Sequence, residues 1–290
     1  MNYRIGDDFI PVDNVNQGPT ATASRLVPLS YRNQQQQPRH ALIYLPAAYF
    51  QLPSQRFNVT YLMHGWSMNE TTFLHDAAFR RMLDQGMATG ELLPQIVVTP
   101  TYYPPTSEPT GSWENDDGYI TDFVQEELCQ SLLPAVETAY RTYAAGGQAQ
   151  DLIDSRQHRA FAGFSMGAIT TWSVLEQRLA YFAYFAPMAG DSWTITNDGG
   201  LLQPDLTAKK LIAAVKASQP APFHIEATVG SQDGTQNSMT PLINRLRQLS
   251  TNFDAEHLSY WKDPNGGHTL ASATNQFAHV QETFFKKPLP

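Results

Sequence analysis

The chain alternates between short, nearly continuous apolar runs and longer stretches in which apolar residues return about once per helical turn. A brief apolar run rich in β-branched and aromatic residues suits a strand buried on both faces, whereas a return every three or four residues suits a helix with one buried stripe. Residues 25–31 (RLVPLSY) and 41–45 (ALIYL) flank the turn-rich RNQQQQPRH and predict an antiparallel hairpin at a sheet edge. Residues 57–63 (FNVTYLM) predict a central strand that stops at His64 and Gly65. Further strands are predicted at 95–99, 160–162, 182–188, 223–229 and 256–261. Helical spacing fills the intervals. Phe73, Ala77, Phe79 and Met82 mark a helix over 70–87, and Val124, Leu128, Leu132, Val136 and Tyr140 mark one from an Asp122 cap to about Tyr143. Helices are also expected from Met166 through Leu175 and at 208–218, 238–249 and 270–285.

Strands alternating with helices of this length imply right-handed βαβ units. The expected fold class is α/β, with a mostly parallel central sheet covered by helices on both faces and an antiparallel N-terminal hairpin. Neither an internal repeat nor an interdomain linker is visible, so one domain over 1–290 is expected, with polar residues 1–22 as an irregular arm. Two stretches stand out as long for connections: 101–119, which mixes prolines with Tyr102, Tyr103, Trp113 and Tyr119, and 144–154.

Composition narrows the partners. With 27 acidic against 19 basic side chains the net charge is −8, which repels polyanions and argues against nucleic acid. No apolar run approaches the ~20 residues that cross a bilayer, so no membrane partner is expected. The single Cys129 sits among leucines and reads as an inert thiol; with no CxxC, a thiolate metal site is not expected. The first residues lack a basic segment followed by an apolar one, so the chain is expected either to be cytoplasmic or to be secreted with its signal removed.

The candidate chemistry lies in RAFAGFSMGAI, where Gly163, Ser165 and Gly167 spell GxSxG between a predicted strand and a predicted helix. A nucleophile elbow needs such a turn to stand the serine hydroxyl at its tip, with glycines where side chains would collide. By itself the pattern also arises by chance, so its partners must decide. Reactive groups in such sheets gather after the carboxyl ends of strands. Asp233 follows the strand ending at Val229, and His268 follows the strand ending at Trp261. Ser165, Asp233, His268 is the chain order of the α/β-hydrolase triad. A turn-forming role for Asp233 is the plainer alternative, and Asp191, after an earlier strand, is the competing acid. For the oxyanion the backbone N–H of Met166 is one candidate donor, and that of Trp66 or its neighbour Gly65 the other. His64 is read as structural, orienting that loop.

The segments RHALIYLPAAY, TYLMHGW, QIVVTP, SLLPAVETAYRTY, HRAFAGFSMGA, FAYFAPMAGDSW and NGGHT resemble esterase-type α/β-hydrolases, and specifically carbohydrate esterase family 1 feruloyl esterases. The likeness runs from about residue 25 to 285. It implies Ser165 as nucleophile, Asp233 as acid and His268 as base, with no metal or organic cofactor. The implied partners are a small phenolic ester or a feruloylated xylo-oligosaccharide. Trp66, Tyr102, Tyr103, Trp113 and Trp193 fall in loops that this topology sets around the serine, where flat rings stack on a phenolic acyl group or a sugar. Capping the core is the alternative for each. An acetylxylan or short-chain esterase shares the triad, as do S-formylglutathione hydrolases and acyltransferases; a non-catalytic carbohydrate-binding homologue is the alternative from outside catalysis.

Overall fold

Apolar runs too hydrophobic to leave either face wet assemble into the middle of one sheet. The computed structural model describes residues 23–105, 107, 109–218, 222–286 and 289. Among them the strands are β1 (Arg25–Arg32), β2 (Pro38–Leu45), β3 (Asn58–Met63), β4 (Gln95–Pro100), β5 (Arg159–Phe164), β6 (Tyr184–Met188), β7 (His224–Gly230) and β8 (Leu258–Asp263). They lie in the order β1-β2-β4-β3-β5-β6-β7-β8. The hairpin expected at the edge is there, with Arg25 opposite Leu45 and Arg32 opposite Pro38, and β2 pairs antiparallel with β4. From β4 to β8 every neighbouring pair is parallel. The arm expected at 1–22 lies outside the described residues.

Helices cover both faces because central strands such as β5 are buried at every position. Ala77–Thr89 packs with Leu270–Val280 in one layer, while Met166–Arg178 joins Phe123–Leu132, Pro204–Ala217 and, through the latter, Gln236–Leu249 in the other. Trp172, on Met166–Arg178, is buried and donates its indole N–H to Gly190 O at 3.0 Å, so packing and hydrogen bonding fix the same contact. Trp261, on β8, is half-buried and stacks on His279.

Several helical boundaries differ from expectation, among them 208–218, observed as Pro204–Ala217, and 270–285, observed as Leu270–Val280; two further differences have a visible cause. The helix predicted from an Asp122 cap begins at Asp117, and Phe123–Leu132 is wound in the wider π form before Leu133–Ala139 returns to α. The residue at its entrance is Asp116, buried and bonded by Tyr103 Oη at 3.0 Å, which ties the helix start to the preceding loop. The predicted helix at 70–87 is broken into Thr72–His75 and Ala77–Thr89, because Asp76 turns out of the helix and caps the second piece by accepting from the N–H groups of Ala78 and Phe79. Half-buried Cys129 has its thiol pushed up to about 12 by burial, consistent with an inert thiol.

The stretch 144–154 serves the far end of the sheet from Ser165. It folds into Ala149–Asp154, whose Leu152 O accepts from the guanidinium of buried Arg159 at 2.7 Å. Arg159 also pairs with buried Glu137 at 2.6 Å and donates to Ser155 Oγ at 2.9 Å. With each polar group answered, the pair is tolerated at the start of β5; the insertion does not reach the serine pocket.

Candidate active site

Ser165 stands between the end of β5 and the helix Met166–Arg178, with φ 60° and ψ −119°. That backbone is sparsely populated for a residue with a side chain and is held by its surroundings. Ser165 N–H donates to Met188 O at 2.8 Å. A Cβ at Gly163 would collide with the Gly167 carbonyl, and one at Gly167 with the carbonyls of Met63 and His64. Both glycines of the motif are therefore required by the closeness of strand, turn and helix.

The loops after β7 and β8 bring the other two residues over the hydroxyl. They brace each other: Gln232 N–H donates to Gly266 O at 2.8 Å, Ser231 N–H to Asp263 O at 3.0 Å, and Asn265 N–H to Ser231 Oγ at 2.8 Å. His268 Nε2 lies 2.9 Å from Ser165 Oγ, and His268 Nδ1 lies 2.8 Å from Asp233 Oδ2. Since an ionised carboxylate only accepts, Nδ1 carries the proton in this pair and Nε2 turns its lone pair to the serine hydroxyl. Asp233 is almost fully buried, and its Oδ1 accepts from Thr235 N–H at 2.9 Å and Thr235 Oγ1 at 2.8 Å. Burial alone would raise this carboxyl; the hydrogen bonds from His268 and Thr235 outweigh it and hold the group below its ordinary value.

Asp191 does not compete for the histidine: its Oδ2 accepts from Gly200 N–H at 2.6 Å. Asp263, a carboxylate close to His268 in sequence, accepts from Ser272 Oγ at 2.7 Å and so serves its own loop.

The turn after β3 supplies the opposite wall. Gly65 and Trp66 line the cavity, and a Cβ at Gly65 would sit 3.2 Å from Ser165 Cβ. Met166 opens its helix, where a first-turn N–H has no intrahelical acceptor. Buried His64 holds the turn, with Nδ1 2.8 Å from Gly65 O and Nε2 2.8 Å from Thr101 Oγ1. Burial lowers its pKa to about 4, so the ring is neutral and spends its one proton on the Gly65 carbonyl.

The cavity beside Ser165 measures about 640 Å³. Of the five aromatics expected around the serine, Trp66, Trp113 and Trp193 line it. The indoles of Trp113 and Trp193 lie 5.2 Å apart at 43°. Trp113 is 36% exposed, and the buried indole nitrogens of Trp66 and Trp193 have no hydrogen-bond partner among the described residues. Tyr102 and Tyr103 do not line it. Tyr102 is 1% exposed, with its hydroxyl 2.6 Å from Thr170 Oγ1, and Tyr103 is buried with its hydroxyl on Asp116. The physical reason is Arg39, whose Nη2 donates to the carbonyls of Thr101 and Tyr102 and draws this end of the loop inward.

Aliphatic lining from Met68, Ile169 and Leu270 was not anticipated. Helical spacing could have pointed to Ile169, one turn beyond Ser165, and proximity to His268 could have pointed to Leu270. Among the described residues no cluster of three or more His, Cys, Asp or Glu is gathered as for a metal ion.

Residues 33–255 match the family model described as Putative esterase. Over 292 residues the chain is 31% identical to endo-1,4-beta-xylanase Y of Acetivibrio thermocellus, spanning 98% of this chain and 25% of that protein. It is 29% identical over 162 residues to an endo-1,4-beta-xylanase/feruloyl esterase of Xylanibacter ruminicola, spanning 53% of this chain and 20% of that protein. The chain thus covers a quarter or less of those relatives' length. A solved structure of a serine-to-alanine mutant of the feruloyl esterase module from Clostridium thermocellum, complexed with sinapinate, matches with a TM-score of 0.78 at 28% identity, over 100% of this chain and 98% of that one.

Proposed function

The chain belongs to the Esterase family and is of the carbohydrate esterase family 1 type, and from that premise we propose that it hydrolyses hydroxycinnamoyl esters of arabinoxylan through an acyl-enzyme on Ser165. The observation that carries this reading is the continuous contact from Ser165 Oγ through His268 to Asp233, at 2.9 and 2.8 Å.

Ser165 Oγ attacks the ester carbonyl while its proton passes to His268 Nε2, and Asp233 stabilises the resulting imidazolium without taking its proton. The negative charge on the carbonyl oxygen is received by the backbone N–H groups of Met166 and Trp66. The tetrahedral adduct collapses by breaking the bond to the sugar oxygen, which leaves with the proton from His268. A feruloyl ester on Ser165 remains. Water then attacks this ester, giving its proton to His268 Nε2, and a second collapse returns that proton to Ser165 Oγ and frees ferulate.

The acyl group is read from the walls. Trp66, Trp113 and Trp193 with Met68, Ile169 and Leu270 form an apolar cavity of about 640 Å³, suited to a flat aromatic acid and far larger than an acetyl group requires. The sinapinate held by the Clostridium thermocellum module is a substituted cinnamate of the same class. Methyl ferulate and an aryl acetate compared at equal concentration test the assignment. Preference for ferulate by kcat/KM supports it, and preference for the acetate transfers the enzyme to short-chain esters.

A further inference from the structure

The acid that the triad leaves unused is placed where it governs the acyl wall. Asp191 directly follows the turn after β6, lines the serine cavity and is 2% exposed. Its Oδ2 accepts from Gly200 N–H at 2.6 Å, so one hydrogen bond closes the chain between residues 191 and 200 into a loop. The returning end has no slack. Asp198 adopts φ 52°, a Cβ at Gly199 would press on Ser192 O and Thr207, and one at Gly200 would collide with Ser238 O. Besides Asp191 itself, the residues of this loop that line the cavity are Trp193, packed on Trp113, and Asp198.

We propose that Asp191 is a positioning residue for the acyl group: its carboxylate closes residues 191–200 so that Trp193 packs on Trp113 and the pair forms the acyl wall, and neutralising it weakens substrate binding while the serine machinery stays in place. The inference rests on the cavity being the acyl site. A hydrogen bond to an ionised acceptor is roughly twice as strong as one to a neutral acceptor, so the closure depends on charge as well as shape.

The charge is available at working pH but not below it. Burial, with the nearby charge of Asp198, raises the Asp191 carboxyl to about 6 against the hydrogen bond from Gly200. Facing it from Gln236–Leu249 is the neutral hydroxyl of Ser238, and the ionisable side chains elsewhere on the cavity wall are Asp198, Asp233 and His268. Because the folded-state pKa is raised, the folded protein holds a proton that the unfolded chain has released between the ordinary carboxylate value and about 6. Global stability therefore gains from this group as pH falls through 6, while the closure of the loop weakens. A residue that merely supported the fold would move both together.

The test is calorimetric binding of methyl ferulate, which has no charge of its own, to the uncleaving Ser165→Ala protein, with Asp191 intact or changed to Asn or Ala. At pH 8, Asp191→Asn is expected to weaken binding about fivefold and Asp191→Ala about tenfold, with Tm for the Asn variant at or above its parent. At pH 5 the parent and the Asn variant converge, because the parent's own carboxyl is then protonated. Equal affinity of parent and Asn variant at pH 8 overturns the inference alone. Absence of binding by the parent overturns the acyl-site reading, and the inference with it.

Discussion

The two walls of the serine cavity are built by different physics. On the triad side each polar group has an assigned partner: Ser165 N–H on Met188, His268 between serine and aspartate, Asp233 also on Thr235, His64 between Gly65 and Thr101. On the aromatic side, indoles meet across loop residues, Trp113 is partly exposed, and the indole N–H groups of Trp66 and Trp193 are unanswered. The first wall is over-determined by backbone packing, as chemistry with a sub-ångström tolerance requires. The second leaves indole N–H groups and apolar area without a partner among the described residues, as a wall suited to a ligand would.

Substitutions on the two walls should therefore differ in which kinetic constant moves. The largest effect is expected from Ser165→Ala, which should lower kcat for methyl ferulate by about 10⁶-fold with an unchanged Tm, since the side chain bears no packing load. Asp233→Asn should follow at about 10⁴-fold in kcat, because the amide presents a donor to His268 Nδ1 and favours the wrong tautomer; Asp191→Asn should leave kcat almost unaltered. Trp193→Ala or Trp113→Ala should raise KM for methyl ferulate roughly tenfold with kcat little changed and acetyl-ester hydrolysis unaffected. A kcat collapse in the tryptophan variants would erase the division between the walls.

The smallest effect concerns His64. Its folded pKa is lowered to about 4 by burial, so between about 6.5 and about 4 the unfolded chain binds a proton that the folded chain refuses. The contribution of His64 to the unfolding free energy should accordingly decline as pH falls through that window, opposite in sign to that of Asp191, and is read from urea titrations of parent and His64→Asn protein at several pH values. His64→Asn should flatten that part of the slope.

The same division decided what could be read from the chain. That Ser165, Asp233 and His268 come together was legible because each is tied to a local rule: a glycine-flanked turn, and the carboxyl end of a strand. The sheet was legible from runs such as 57–63 and 95–99, whose apolarity leaves few other places for them. Tyr102 and Tyr103 were misplaced because their burial depends on Arg39, 63 residues before Tyr102, reaching the carbonyls of Thr101 and Tyr102. The start of the long helix at Asp117 depends likewise on a contact between Asp116 and Tyr103 that no helical period reveals. The 144–154 stretch stood out only as long for a connection, and its place at the far end of β5 depends on hydrogen bonds from Arg159. Loop side chains whose positions are set by distant partners leave no periodic trace.

The most direct measurement of the central claim is the mass of the peptide containing Ser165, taken from enzyme quenched in acid within its first turnovers of an activated feruloyl ester. The expected spectrum shows that peptide carrying one feruloyl group on Ser165, absent from Ser165→Ala and lost when the quench is delayed past substrate exhaustion. Ferulate release with Ser165 unmodified throughout, or a feruloyl group on a different residue of the cavity, would contradict it.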